Sequence, residues 1–173
     1  AHMGRQRRSQ NNDRPERKAT HTMTALTTEE FITWANRLAN LPWPMTLKEF
    51  TTTATKDFGW TTTEGKQRFA ATFSNCSEQI LVGKNSENQI TRCIWAMARI
   101  EKDRQNQTLQ LNDDFVTYTK AGDEEWGGAF KTLAGKSPLK AWRHETGGVF
   151  ELTRTPLGIN FIFYTPQGAH YYE

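Results

Sequence analysis

The segment Gln89-Ile90-Thr91-Arg92-Cys93-Ile94-Trp95-Ala96-Met97-Ala98-Arg99-Ile100 decides how this chain is read. Side chains alternate across a β-strand with a period of two. The alternation puts Ile90, Ile94, Ala96, Ala98 and Ile100 on one face and Cys93, Trp95 and Met97 on the other, with Arg92 interrupting the first face. A strand that is apolar on both sides belongs inside a sheet, because at an edge its apolar side chains and its unpaired N–H and C=O groups would together invite aggregation. A central strand is therefore expected here.

Shorter strands are expected on either side of it. Residues 67–73 place Phe69, Ala71 and Phe73 on one side, and residues 79–82 are short and apolar. Residues 83–88, beginning Gly83-Lys84-Asn85, read as a polar loop. Toward the C-terminus, residues 140–145, 149–153 and 159–165 read as a meander, with turns at Thr146-Gly147-Gly148 and at 155–158.

Helices are expected at the start and in the middle. Thr27 with Glu30, and Thr46 with Glu49, have the capping-box spacing. In that motif the Thr hydroxyl and the Glu carboxylate each satisfy a free backbone N–H. Phe31, Trp34, Ala35, Leu38 and Leu41 then form one apolar helical stripe, and Leu47, Phe50, Ala54 and Phe58 form another. Pro42 and Pro44 stop the first helix, and Gly59 stops the second. Residues 101–108 read as a polar connection. Asn112-Asp113-Asp114 is expected to cap a helix carrying Phe115, Val116 and Tyr118, which Ala121-Gly122 breaks. Asp123-Glu124-Glu125 is expected to restart it with Trp126, Phe130 and Leu133, until Gly135 and Pro138 end it. The fold class that follows is α+β, with helices packed on one face of a mainly antiparallel sheet.

Charge divides the chain. Residues 1–22 hold six Arg and Lys against Asp13 and Glu16, a net +4, so within the total of +3 the remaining residues are net −1. The expected organisation is a basic, flexible tail over 1–22, with Ala1-His2-Met3 reading as an expression-vector remnant, and one domain over 23–173. About 150 residues suffice for a self-supporting core, and 12% aromatic residues supply it. No apolar run reaches the length of a membrane span. A cytoplasmic protein with no membrane association is expected. Two cysteines, Cys76 and Cys93, are too few for a disulfide framework or a cysteine metal site, so two half-buried thiols are expected.

No sequence motif points to catalysis. Gly135-Lys136-Ser137 lacks the earlier glycine of a phosphate loop, since Phe130 stands there, and Pro138 follows where a helix should open. It reads instead as a helix C-terminus. The histidines His2, His21, His144 and His170 have no metal-ligand spacing. The acidic groups Glu29-Glu30, Asp113-Asp114 and Asp123-Glu124-Glu125 all fall at expected helix N-termini, where negative charge suits the macrodipole. The same carboxylates form an acidic docking surface in the functional reading, together with Trp126. No catalytic residue, metal or cofactor is expected. The basic tail has no interleaved aromatics to stack on bases, so nucleic acid is not the expected partner.

One resemblance extends this reading. The chain opens with an amphipathic helix bearing Trp34, followed by Trp43 and a second helix ending Phe58-Gly59-Trp60. Later come Leu133-Ala134-Gly135-Lys136-Ser137-Pro138, Trp142, and the segments Gly148-Val149-Phe150-Glu151-Leu152 and Ile159-Asn160-Phe161-Ile162-Phe163. In outline, over residues 27–165, this resembles small actinobacterial immunity factors, among them the immunity factor of the tuberculosis necrotizing toxin, an NAD-hydrolysing enzyme. The resemblance implies a non-catalytic antitoxin that forms a heterodimer with a cognate secreted toxin. The contact residues expected on that reading are Gly83, Lys84, Asn85, Asp113, Asp114, Asp123, Glu124, Glu125 and Trp126. The competing expectations are a secretion chaperone or adaptor and a small enzyme with a non-local site around His144.

Overall fold

The computed structural model describes residues 24–65, 67–100 and 106–172. The expected tail over 1–22 lies outside the described residues, as does most of the expected connection after Ile100. Two helices open the fold. α1 spans Thr28–Ala39 and α2 spans Leu47–Lys56, each behind a complete capping box, Thr27 with Glu30 and Thr46 with Glu49. Phe31, Ala35 and Leu38 are buried on α1, and Phe50 and Ala54 on α2, as their spacing required.

The described strands are β1 (Thr24–Ala25), β2 (Thr61–Thr62), β3 (Arg68–Thr72), β4 (Ser77–Lys84), β5 (Ile90–Arg99), β6 (Lys131–Leu133), β7 (Leu139–Arg143), β8 (Val149–Thr155) and β9 (Gly158–Tyr164). They form one antiparallel sheet in the order β2-β3-β4-β5-β9-β8-β7-β6, with β1 also paired to β5. β5 lies inside the sheet, between β4 and β9, as its two apolar faces required. Cys93, Trp95 and Met97 face the helices, and a register shift between Ala96 and Ala98 brings Ala98 into the core as well. The C-terminal meander is present as β7, β8 and β9.

Between β5 and β6 runs α3, Asn106–Trp126, over β5, β7, β8 and β9 and beside α1. It corrects the expected pair of short helices in three ways. The helix begins six residues before Asn112, it continues through Gly122, and it stops at Trp126. Gly122 is buried against Trp142, where it leaves room for the indole and does not break the helix. Gly127, at φ 80°, ends the helix. Phe130 and Leu133 therefore lie on extended chain, partly exposed at the sheet edge. Gly135, at φ 118°, turns β6 into β7 and is no helix C-terminus.

The core between sheet and helices is aromatic. Trp95, Trp142, Phe31, Phe50, Phe69, Phe150, Phe161 and Phe163 are all fully buried, each worth about 1.5–3 kcal/mol of transfer free energy or more. A single-turn helix, α4 (Pro166–Ala169), which the sequence reading did not foresee, lays Ala169 on Ala141 and Val149 on the opposite face of the sheet. The rest of that face carries no helix among the described residues.

Candidate partner-binding face

The expected contact residues separate into three environments. Gly83 and Lys84 are not loop residues but the end of β4. The Arg92 side chain lies across Gly83, where a Cβ would meet its Cγ at 2.8 Å. Only Asn85 opens the turn, and its Oδ1 accepts the N–H groups of Glu87 and Gln89 at 3.0 Å. Lys84 donates to Asn88 at 2.9 Å, and both line a shallow groove against α2 with Lys48, Thr51 and Thr63.

The second environment is the partly buried side of α3, where it meets α1 and the sheet. Trp126 packs on Phe31, Trp142 and Phe150, and its Nε1 donates to Asn36 Oδ1 at 2.9 Å. It is half-buried against the core and is no exposed surface anchor. Asp123 accepts from Lys140 and, at 3.0 Å, from Trp142 Nε1. Burial works to raise its pKa, but these bonds and the Lys140 charge outweigh burial and hold the carboxyl below its ordinary value. Glu125 accepts from Asn36 Nδ2 at 3.0 Å. Asp114 is half-buried and accepts from Gln110 at 2.9 Å.

The third environment is the outward stripe of α3. Residues 109, 113, 116, 120 and 124 recur at helical spacing, opposite the buried side formed by Leu111, Tyr118 and Gly122. Leu109 is 73% exposed and Val116 is 62% exposed. Asp113, Lys120 and Glu124 are exposed between and beyond them. The sequence reading found the two acids but missed both apolar residues. Which side of α3 faces out is set by one uninterrupted helical phase from 106 to 126; the expected start at Asn112 left Leu109 outside the helix, and the expected break at Gly122 separated Glu124 from that phase.

Electrostatics give this helix an unusual character. It carries five carboxylates against Lys120 alone, and none of them is in the first turn. Asp123, Glu124 and Glu125 sit in the last turn, facing the negative end of the macrodipole, where each anion costs about 0.3–1 kcal/mol. The dipole explanation holds for Glu29 and Glu30 in the first turn of α1. It is overturned for the two acidic groups on α3. Lys140 and Trp142 account for Asp123, and Asn36 for Glu125. Glu124 is exposed and lines, with Glu29, Ile32 and Thr33, a groove of about 450 Å³ between α1 and α3.

His144 follows β7, not within a strand as expected. Its Nδ1 lies 2.7 Å from Thr146 Oγ1, which donates to the Ala39 carbonyl at 2.9 Å. Asn36, Glu125, Arg143 and Glu145 line a polar hollow of about 260 Å³ with it. Among the described residues no cluster of three His, Cys, Asp or Glu side chains is arranged to hold a metal ion. Nor is any described helix long and apolar enough to cross a membrane.

A two-layer α+β protein with an aromatic core and an acidic, partly apolar helix turned outward is the class this geometry defines. The chain belongs to DUF6301, described as a family of unknown function, whose profile matches residues 29–165. No curated protein matches the chain, and neither does any solved structure.

Proposed function

We propose that this protein is a non-catalytic binding module: an immunity protein that docks on a cognate secreted toxin and blocks its active site. The observation that carries the reading is the outward stripe of α3. It combines two exposed aliphatic side chains, Leu109 and Val116, with exposed Asp113 and Glu124 on a rigid, well-packed helix. A binding face needs a few apolar anchors and a charged surround that steers the partner. Negative charge suits a toxin whose cleft is positive because it holds a phosphate-bearing substrate. The resemblance to the immunity factor of the tuberculosis necrotizing toxin makes an NAD-hydrolysing toxin the first partner to test.

The test is co-expression of the full chain, in a susceptible cell, with the C-terminal domain of the neighbouring large open reading frame. Survival, preserved cellular NAD and a purified 1:1 complex are expected. The double variant Asp113→Lys, Glu124→Lys should weaken the complex at least tenfold while leaving the fold intact. No rescue and no complex with wild type would overturn the reading. Binding only to the unfolded toxin would favour a secretion chaperone. The hollow beside His144 favours a small enzyme as the second reading, and an activity abolished by His144→Gln would establish it.

A further inference from the structure

The face of the sheet turned away from α1, α2 and α3 has a row structure set by strand register. Arg68, Leu81, Ile94, Ile162, Glu151, Ala141 and Lys131 are successive cross-strand partners from β3 to β6. Leu81 is 42% exposed, and Ile94 and Ile162 are half-buried. The adjacent row holds Ala96 opposite Asn160. Around this aliphatic centre stand Arg68 and Arg92, both exposed, with Lys131 and Arg143 further along the face. Glu151 is the one acid among the described strand residues on this side, and it is buried and accepts from Thr153. The face is therefore apolar at its centre and cationic at its rim.

The outward stripe of α3 is its complement, apolar with a net negative charge: Leu109 and Val116 exposed, Asp113 between them, Glu124 beyond, and Lys120 the one cation of the stripe. The spacings agree as well. Seven residues of helix rise about 10.5 Å, and the step from Leu81 across Ile94 to Ile162 covers two strand spacings, about 9.6 Å. Residues 1–22 carry net positive charge, the same sign as this sheet face, which argues against that segment as its cover.

We infer that the part of this sheet face left open beside α4 is a docking surface for a second copy of this chain, which presents its α3 there. Leu109 and Val116 lie over Leu81, Ile94 and Ile162, and Asp113 and Glu124 meet Arg68 and Arg92. The contact closes the open side of the sheet with a helix, the arrangement that buries a two-sided apolar strand such as β5. It is head-to-tail, so each pair keeps one free sheet face and one free α3, and growth continues until a ring closes. A helix about 31 Å long and about 10 Å wide covers a small footprint, so the association is weak and reversible. It shares α3 with the proposed toxin contact, and a bound toxin excludes it.

The test uses sedimentation velocity of the full chain between about 10 μM and 1 mM, at low and high salt. Average mass should rise with concentration above the 19.9 kDa monomer and fall back as salt screens the charges. Two charge-reversal variants decide the geometry. Arg68→Glu, Arg92→Glu spoils the sheet face, and Asp113→Lys, Glu124→Lys spoils the helix face. All four side chains are exposed, so both variants should keep the wild-type circular dichroism. Each should be monomeric alone, whereas a 1:1 mixture of the doubly substituted chains pairs the intact sheet face with the intact α3, and the reversed sheet face with the reversed α3, so association should return. Strict monomer behaviour at every concentration overturns the proposal, as does a mixture that stays monomeric. So does association that survives either variant alone. Anionic vesicles or an acidic peptide captured by a face that never self-associates would assign the surface to another occupant. Because the sheet-face variant leaves α3 untouched, it retains toxin binding if the immunity reading is correct. The two ideas can therefore fail separately.

Discussion

Gly122 of α3 lies directly against the indole of Trp142 on β7, and a Cβ built on Gly122 would come within 2.6 Å of the ring. Alanine in an exposed helix interior gains about 1 kcal/mol over glycine. Here the clash reverses the sign, because Trp142 is fully buried and tied through Nε1 to Asp123. Gly122→Ala is expected to lose about 1–3 kcal/mol net, as overpacked core positions do. Urea denaturation gives the value, and a stabilised variant would show that the helix and β7 are farther apart.

That contact also marks where the sequence stopped being readable. The capping boxes of α1 and α2 involve residues three apart, so the chain displays them directly. The alternation of β5 is equally local. Gly122 looked like punctuation because its partner is twenty residues away, and only tertiary structure brings Trp142 onto it. The end of α3 was signalled by Gly127-Gly128, a left-handed stop that the apolar spacing of Phe130 and Leu133 overrode in the reading. At the candidate site, the carboxylates were visible by composition. Leu109 and Val116 became recognisable as surface residues only once α3 was a single helix of known phase.

Tyr118 reaches from α3 to the chain entering α1. Its hydroxyl donates to the Leu26 carbonyl at 2.5 Å in a buried setting. Tyr118→Phe removes the donor and leaves that carbonyl without it, at a cost of about 1–2 kcal/mol. Chemical denaturation should show the loss with an unchanged m-value. No loss would mean that water replaces the hydroxyl.

Trp126 and Val116 should separate stability from binding. Trp126→Ala empties a site packed by Phe31, Trp142 and Phe150 and is expected to cost about 3–5 kcal/mol. Val116→Asp changes a side chain that is 62% exposed and should leave the melting temperature within a degree or two. Only the second should weaken partner capture in a folded protein. A strongly destabilised Val116→Asp would mean that this side of α3 is covered.

Acid should unfold the protein partly through Asp123 and Glu30. Burial opposes ionisation at Glu30, but bonds from Ser74 and Thr27 win and lower its pKa, as those from Lys140 and Trp142 do for Asp123. A carboxyl with a lowered folded-state pKa stabilises fully above its unfolded value, about 4, and loses that contribution as pH falls through the folded value. The melting temperature should therefore be steady from pH 7 to 5 and drop below about pH 4. Asp123→Asn should lower stability at pH 7 and flatten the acid limb. An acid limb identical to that of wild type would remove Asp123 from the linkage.

Cys76 should be slow to react although it is not fully buried. Burial, then the charges of Glu78 and Glu30, push its thiol up to about 11, with Arg99 opposing them. Cys93 is wholly buried in β5, and burial raises its pKa further. The thiolate is the nucleophile, so at pH 8 only about a thousandth of Cys76 is reactive. Native alkylation at pH 8 should run roughly a hundredfold slower than for a free cysteine peptide. In urea both thiols should label at the peptide rate. Rapid labelling of one thiol in the native protein would place Cys76 in water, away from Glu78 and Glu30, and would contradict the packing at the start of β4.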